Sequence, residues 1–175
     1  HKAKLMEANL SENLQEVLNN GKVIEKSQFK ISDENAWLLY LEVVCLEYDG
    51  NAFDPSLLAC VLAIEDTKLP DLIYNEREKL YETVSSENDL KQVQILNKPI
   101  PVTLSLIEND WLADPTDSDE QAGSVVSLCK IQKDWMVIRM PGENISPITF
   151  MQVLFPLAEA FVPKVGRVYE NCVEG

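Results

Sequence analysis

The run from Ala36 to Tyr48 constrains this chain more than any other stretch. It reads AWLLYLEVVCLEY, almost unbroken apolar sequence rich in aromatic and β-branched residues. Such residues fit a pleated surface. A strand apolar on both faces belongs in the middle of a sheet, covered on both sides. Glu42 and Glu47 interrupt it, so part of one side is expected to meet solvent or a polar partner. Asp49-Gly50-Asn51 then supplies turn chemistry, with Gly50 free to take positive φ. Asp54 reads as a helix N-cap with Pro55 at the first helical position. Ser56 to Ile64 is apolar nearly all round, as a buried helix is, and Leu69-Pro70 ends it.

Composition narrows the function classes. With 29 acidic and 15 basic residues, the 175-residue chain has a formal net charge of −14. That opposes direct, dominant binding to nucleic acid or to an anionic membrane surface. No apolar run reaches the roughly 20 residues that a membrane helix needs. The first residues, His1-Lys2-Ala3-Lys4-Leu5, lead into polar helical sequence rather than an apolar signal. His1 is the only histidine, which removes histidine acid–base chemistry, most catalytic triads and histidine-rich zinc sites. Cys45, Cys60, Cys129 and Cys172 are far apart and mostly within apolar runs. They read as reduced, buried thiols rather than a disulfide or metal framework.

Around the central run, Leu10, Leu14, Val17 and Leu18 predict one face of a helix over Leu5 to Asn20, stopped by Gly21. Asp71 to Tyr74 is short and extended, and Asn75 to Asp89 is a loop or a weak strand followed by a turn. Lys91 to Leu96 alternates as a half-buried strand does. Val102 to Ile107 is a strand with a hairpin return through Asn109 to Leu112. Asp114 to Glu120 is an acidic turn, Ser124 to Ile131 a strand and Trp135 to Met140 its antiparallel partner. Ser146-Pro147 opens a last helix, in which Pro156 and Pro163 should cause a kink or break. The order predicts an α+β (mixed α/β) fold of helices packed on sheets, with a seam between two subdomains near Pro70.

Three stretches together resemble the RNase PH-type ring subunits of the RNA exosome. The first is Leu41 to Asp54 with Leu57-Leu58-Ala59 and Lys68-Leu69-Pro70. The second is Leu112-Ala113-Asp114-Pro115-Thr116, an acidic stretch, Gly123 and a strand. The third is Val23 to Lys26 with Ile31-Ser32. The turn Asp49-Gly50-Asn51, two residues, then Asp54 is similar to the family's non-catalytic branch. The resemblance implies an RNase PH-like fold, with residues 1–70 the C-terminal part of the first subdomain and 71–175 the second. Strands that precede the first helix in that family are expected to be absent here, which would leave the Ala36 to Tyr48 strand with an exposed apolar edge.

The resemblance also locates where catalysis would occur. Phosphorolytic members carry a Ser-Arg or Thr-Arg pair after the glycine of the strand–helix turn; here the matching residues are Asn51, Ala52 and Phe53. An aspartate opens the strand after the acidic loop in those members; here Ser124 matches. A helix that supplies arginines in them runs Asn9 to Glu16 here and is acidic. Asn51, Ala52 and Ser124 are therefore expected to be degenerate site positions that line one cleft, with no cofactor and no metal. Asp114, Asp117, Asp119 and Glu120 could ligate a hard cation, but their spacing misses the calcium-loop pattern and reads better as a solvated turn. Trp37, Trp111 and Trp135 come without basic interleaving and read as core or interface aromatics.

The function implied is a non-catalytic structural subunit of the exosome core ring, supporting 3′ to 5′ RNA processing and decay by other subunits. Its partners would be other RNase PH-like exosome subunits in a hexameric ring, and cap subunits, with RNA contact indirect or weak and no membrane. Its location would be nucleus, nucleolus and cytoplasm. The alternative is an active phosphate-dependent 3′ to 5′ exoribonuclease. A third reading is an unrelated acidic interaction module.

Overall fold

A computed structural model describes residues 2–84, 90–140 and 146–173. Helix α1 is Lys2–Asn20. Its Leu10, Leu14, Val17 and Leu18 face the core, as the helical spacing predicts. The left-handed residue after it is Lys22, with φ 46°. Gly21 is required for a different reason: a Cβ there would lie 2.4 Å from Ile131 Cδ1. A 3-10 turn, Lys26–Phe29, follows.

Ala36 to Tyr48 departs from expectation. It forms no strand and is not covered on both faces. Its start is tied down: the Trp37 N–H donates to the Phe29 carbonyl, and Lys30 bridges Ala36. Beyond that point the segment pairs with no described strand. A strand is defined by its ladder partners. Apolar sequence alone therefore does not make a strand here.

Helix α2, Phe53–Asp66, begins one residue before Asp54, so Asp54 is not the N-cap. Ala52 holds that position with no side-chain cap. Phe53, Leu57, Cys60, Val61 and Ile64 are buried, which accounts for the helix being apolar nearly all round. Short pairings follow: β1 (Lys68–Leu69) lies antiparallel to β4 (Lys91–Gln92), and β2 (Leu72–Asn75) to β3 (Leu80–Thr83). The expected strand over Lys91 to Leu96 thus shrinks to two residues plus an Ile24–Ile95 bridge. The turn expected at Ser85 to Asn88 lies outside the described residues.

The main sheet has four antiparallel strands in the order β6-β5-β7-β8. They are β5 (Pro99–Ile107), β6 (Asp110–Ala113), β7 (Ser124–Ile131) and β8 (Asp134–Arg139). Strand β6 reaches only Leu104 to Ile107, so Pro99 and Pro101 stand where one edge of β5 has no partner in this sheet. That is where missing N–H donors cost least.

Side chains alternate across a strand. Val102, Leu104, Val126 and Leu128 form one face and pack under Phe150, Leu154 and Ala158 of the C-terminal helical segment. Thr103, Ser127 and Cys129 belong to the other face, on the α2 side. The core of α1 and α2 joins Cys129 and Ile131 of β7 with Tyr169 of the last helix, so the packing runs across Pro70. The Tyr169 hydroxyl donates to the Pro99 carbonyl at 2.7 Å.

The acidic stretch is not simply a turn. Helix α3, Asp117–Ala122, carries a reciprocal capping box between Thr116 and Asp119. Those hydrogen bonds hold the Asp119 carboxyl below its ordinary range.

The last helical segment runs as α4 (Pro147–Thr149), a π-helical turn (Phe150–Leu154) and α5 (Phe155–Val173). Ser146 Oγ accepts from the Thr149 N–H, the expected opening cap. Pro156 does not break the helix. The Phe155 N–H reaches back to the Phe150 carbonyl, and this wider turn accommodates the proline that follows. Pro163 also sits inside α5 without ending it.

Cys60 and Cys129 are buried, while Cys45 and Cys172 are exposed. The expectation of buried thiols holds for two of the four, and all four are free. Burial pushes the Cys60 thiol up to about 11 and, with the nearby Asp54 charge, Cys129 up to about 12. No helix among the described residues is long and apolar enough to cross a membrane.

Candidate functional site

The site grows from the turn that ends the apolar run. Gly50 takes φ 88° and Asn51 φ 40°, so the chain reverses through two left-handed residues. Gly50 lies directly on the loop before α3: a Cβ there would sit 2.4 Å from the Pro115 carbonyl oxygen. Only glycine permits both the φ and that approach. The contact joins the start of α2 to the acidic stretch, some sixty residues on in sequence.

Asn51 is buried at the centre of the junction. Its N–H donates to Glu120 at 3.0 Å. Its Nδ2 donates to Asp54 at 3.1 Å and to Asp114 at 2.8 Å. Asp54 in turn receives the Thr103 N–H at 3.0 Å and the Thr103 hydroxyl at 2.7 Å. Thr103 Oγ1 is 3.1 Å from Ser127 Oγ, on the same sheet face. One amide thus holds two carboxylates. Rotating it by 180° would oppose its oxygen to both of them, so its orientation is fixed. The consequence is a buried Asn51 Oδ1 with no hydrogen-bond partner. An unpaired buried acceptor costs about 1–3 kcal/mol.

Burial raises Asp54 to about 6, against the opposing pull of its hydrogen bonds to Thr103 and Asn51. The residue as a whole is half-buried, but its carboxylate faces inward onto three donors. Tyr48 stands at the edge of the same cluster, beside Glu120. Its phenol is pushed up first by burial, then by the charges of Glu120 and Asp117.

Three carboxylates therefore surround Asn51. Arg139, at the end of β8, is the one cation paired with them among the described residues. Its Nη1 lies 3.8 Å from Glu120, and its side chain is largely exposed. Among the described residues, no group of three or more His, Cys, Asp or Glu could hold a metal ion.

The site residues named from sequence fall as follows. Asn51 is the hub, and Ala52 is the adjoining residue that opens α2. Ser124 opens β7 opposite Leu106, on the pleat face of Val126 and Leu128. Ser127, which belongs to the Asp54 network, lies three residues along on the other face, about 10 Å away at strand spacing. Sequence reasoning took Asp54 for a cap and missed Thr103, Ser127 and Arg139 as neighbours. The available signal was the pair of hydroxyls, Thr103 and Ser127, within apolar strands. A buried hydroxyl needs a partner, and nearby acids can provide one.

Trp111 and Trp135 pack partly buried against the core under α5. Trp37 lines an open groove of about 530 Å³ with Gln28, Ile31, Leu69 and Val93.

The chain matches no family model. It is 27% identical over 143 residues to the exosome complex component rrp43 of Schizosaccharomyces pombe, covering 79% of this chain and 52% of that protein. It is 26% identical over 140 residues to the exosome complex component Rrp42 of Methanothermobacter thermautotrophicus, covering 80% of this chain and 50% of that protein. The chain thus spans about half the length of the curated relatives it matches. Its fold superposes on a chain of an archaeal exosome core with a TM-score of 0.72 at 22% identity. That match covers 92% of this chain and 62% of the other. The fold is the RNase PH-like one of the exosome core, as the resemblance implies, and the match is not accidental.

Proposed function

We propose that this chain, an RNase PH-like relative of exosome ring subunits, is itself a structural subunit of an exosome core ring and is catalytically silent. The observation that carries the reading is the charge of the hollow around Asn51. Phosphorolysis brings inorganic phosphate and an RNA phosphodiester into one place, and both are anions. A site for them needs fixed cations or convergent N–H donors aimed at the developing charge. Here Asp54, Asp114 and Glu120 already take the donors of Asn51 and Thr103. The Asn51 N–H and amide, donors of the kind a phosphate needs, are committed to carboxylates. Anionic walls also lower the local concentration of an anionic substrate.

In this reading residues 1–70 and 71–175 are parts of the two RNase PH-like subdomains. The subunit supports 3′ to 5′ RNA processing and decay performed elsewhere in the assembly, in nucleus, nucleolus and cytoplasm. Its neighbours are other RNase PH-like subunits of a hexameric ring, with cap subunits above. The strong negative charge suits docking against a more basic neighbour, which speeds encounter and fixes register. Its own RNA contact is indirect or weak. The test is affinity purification of the natural gene product from its source cells. Other RNase PH-like proteins should come down in stoichiometric amounts; their absence would overturn the reading.

The second reading, an active phosphate-dependent exoribonuclease, has one observation in its favour. Arg139 projects to the rim beside Glu120 and is largely exposed. A single rim arginine already paired with a carboxylate is a weak phosphate cradle.

A further inference from the structure

The groove beside Trp37 shares no residue with the hollow around Asn51. Its floor is apolar: Trp37, Leu69 and Leu72 are half-buried, and Val93 is buried. Its walls are tied together. The Gln28 side chain donates to the Gln94 carbonyl at 2.9 Å and accepts from the Gln94 N–H at 2.7 Å. The Trp37 N–H donates to the Phe29 carbonyl at 2.7 Å, and the Val93 N–H to the Thr67 carbonyl at 2.9 Å. At about 530 Å³ the groove has the size of a ligand site. A ligand would find it already formed, at little ordering cost.

The charge around it differs from that of the chain as a whole. Acids outnumber bases 29 to 15 over the sequence, yet the charged residues lining the groove are Lys30, Lys91 and Asp71. Lys30 pairs with Asp33 and Lys91 with Asp71, both at 2.6 Å. The side chains in these pairs are 53% to 95% exposed. Such exposed pairs contribute little, so a ligand carboxylate can take the place of either aspartate.

We propose that this groove docks a short segment of a partner protein, in which one or two large apolar side chains are flanked by carboxylates. The apolar side chains fill the floor against Trp37, and the carboxylates meet Lys30 and Lys91. The backbone at Gln94 is already satisfied by Gln28, so side chains rather than strand addition carry recognition there. Charge complementarity selects a peptide over a nucleic acid. RNA carries a phosphate at every nucleotide, and beyond two lysines it meets a chain of net charge −14. A partner segment can confine its negative charge to the positions that the lysines match. The proposal depends neither on membership of a ring nor on whether the Asn51 hollow is silent.

Peptide selection tests it. The natural gene product is immobilised and panned with a random heptapeptide library displayed on phage. Enriched peptides are synthesised with a fluorophore, and their binding is measured by anisotropy. They should share acids on either side of an apolar or aromatic residue. Reversing both exposed lysines, Lys30→Glu with Lys91→Glu, should weaken binding at least about 10-fold and leave the urea unfolding midpoint nearly unchanged. Trp37→Ala should weaken it by a similar factor. Four results would overturn the proposal. They are no enrichment over the bare support, enriched peptides without acids, binding indifferent to the lysine reversals, or displacement of the peptides by a ten-nucleotide oligouridylate that binds more tightly than they do. None of these bears on purification of ring neighbours, so the two readings fail separately.

Discussion

Replacing Asp54 with asparagine should stabilise the protein, and more so at alkaline than at acidic pH. The argument starts from the hydrogen-bond geometry. One carboxylate oxygen accepts from Asn51 Nδ2 and the Thr103 N–H, and the other accepts from the Thr103 hydroxyl. Asparagine can place its oxygen at the first position and its amide nitrogen at the second. That nitrogen would donate to Thr103 Oγ1, which in turn would donate to Ser127 Oγ, 3.1 Å away. Every bond survives with one reversal, and no buried charge remains.

The charge is the unfavourable element. Burial lifts the folded-state value from 3.8 to about 6. The native state therefore holds a proton that the unfolded state releases between those values. Stability from this group is present in full below pH ~4, falls as pH rises, and is lost through about 6. At about 1.4 kcal/mol per unit, the full effect is about 3 kcal/mol at pH 8, of which about 1.6 is already present at pH 5. Asp54→Asn removes this dependence. The stability difference, variant minus parent, should thus be about 1.4 kcal/mol more favourable at pH 8 than at pH 5. Paired urea unfolding at the two pH values measures it, and titration of every other group cancels in the comparison. A difference that does not change with pH, or one that turns against the variant as pH rises, would refute the reasoning.

Other outcomes follow from the same geometry. Gly50→Ala must adopt φ 88° with its Cβ against the Pro115 carbonyl, so urea unfolding should show a loss of at least about 2 kcal/mol. Tyr169→Phe removes the bond to the Pro99 carbonyl and leaves that oxygen buried, which should cost about 1–3 kcal/mol with the m-value unchanged. In the native 175-residue chain, Cys45 and Cys172 should react quickly with a thiol reagent at pH 8, and Cys60 and Cys129 only on unfolding. Four fast thiols would contradict the burial assignments.

Most of the main sheet is legible in the sequence because each strand carries its own period and its own turn. Ser124–Ile131 has the same bounds by either route, while the turn expected at Lys133-Asp134 forms one residue earlier, at 132–133, and the return expected through Asn109 to Leu112 turns at 108–109. Both α1 and α2 declare themselves through helical spacing and apolar content. Ala36 to Tyr48 does not, because strand character requires a neighbour and no described strand supplies one. Pro156 misleads in the opposite direction: a wider turn absorbs a residue that propensity alone treats as a breaker.

The site was legible only at its hub. Asn51 stands out in a turn motif, and its burial follows from Gly50 bringing the loop onto Pro115. The links from Asp54 to Thr103 and from Asn51 to Asp114 join residues 49 and 63 positions apart. No local pattern encodes a contact of that range. Thr103 and Ser127 read as ordinary strand residues until the register places them opposite each other.

Whether the hollow around Asn51 has kept any chemistry is decided by one assay. The natural gene product, purified free of exosome proteins, is incubated with a 3′-tailed single-stranded RNA and inorganic phosphate, and nucleoside diphosphate release is followed. The prediction is no release above a no-protein control, at any phosphate concentration. Release that requires phosphate and disappears with Arg139→Ala would show that three carboxylates and one arginine suffice for phosphorolysis, and the subunit would be an enzyme.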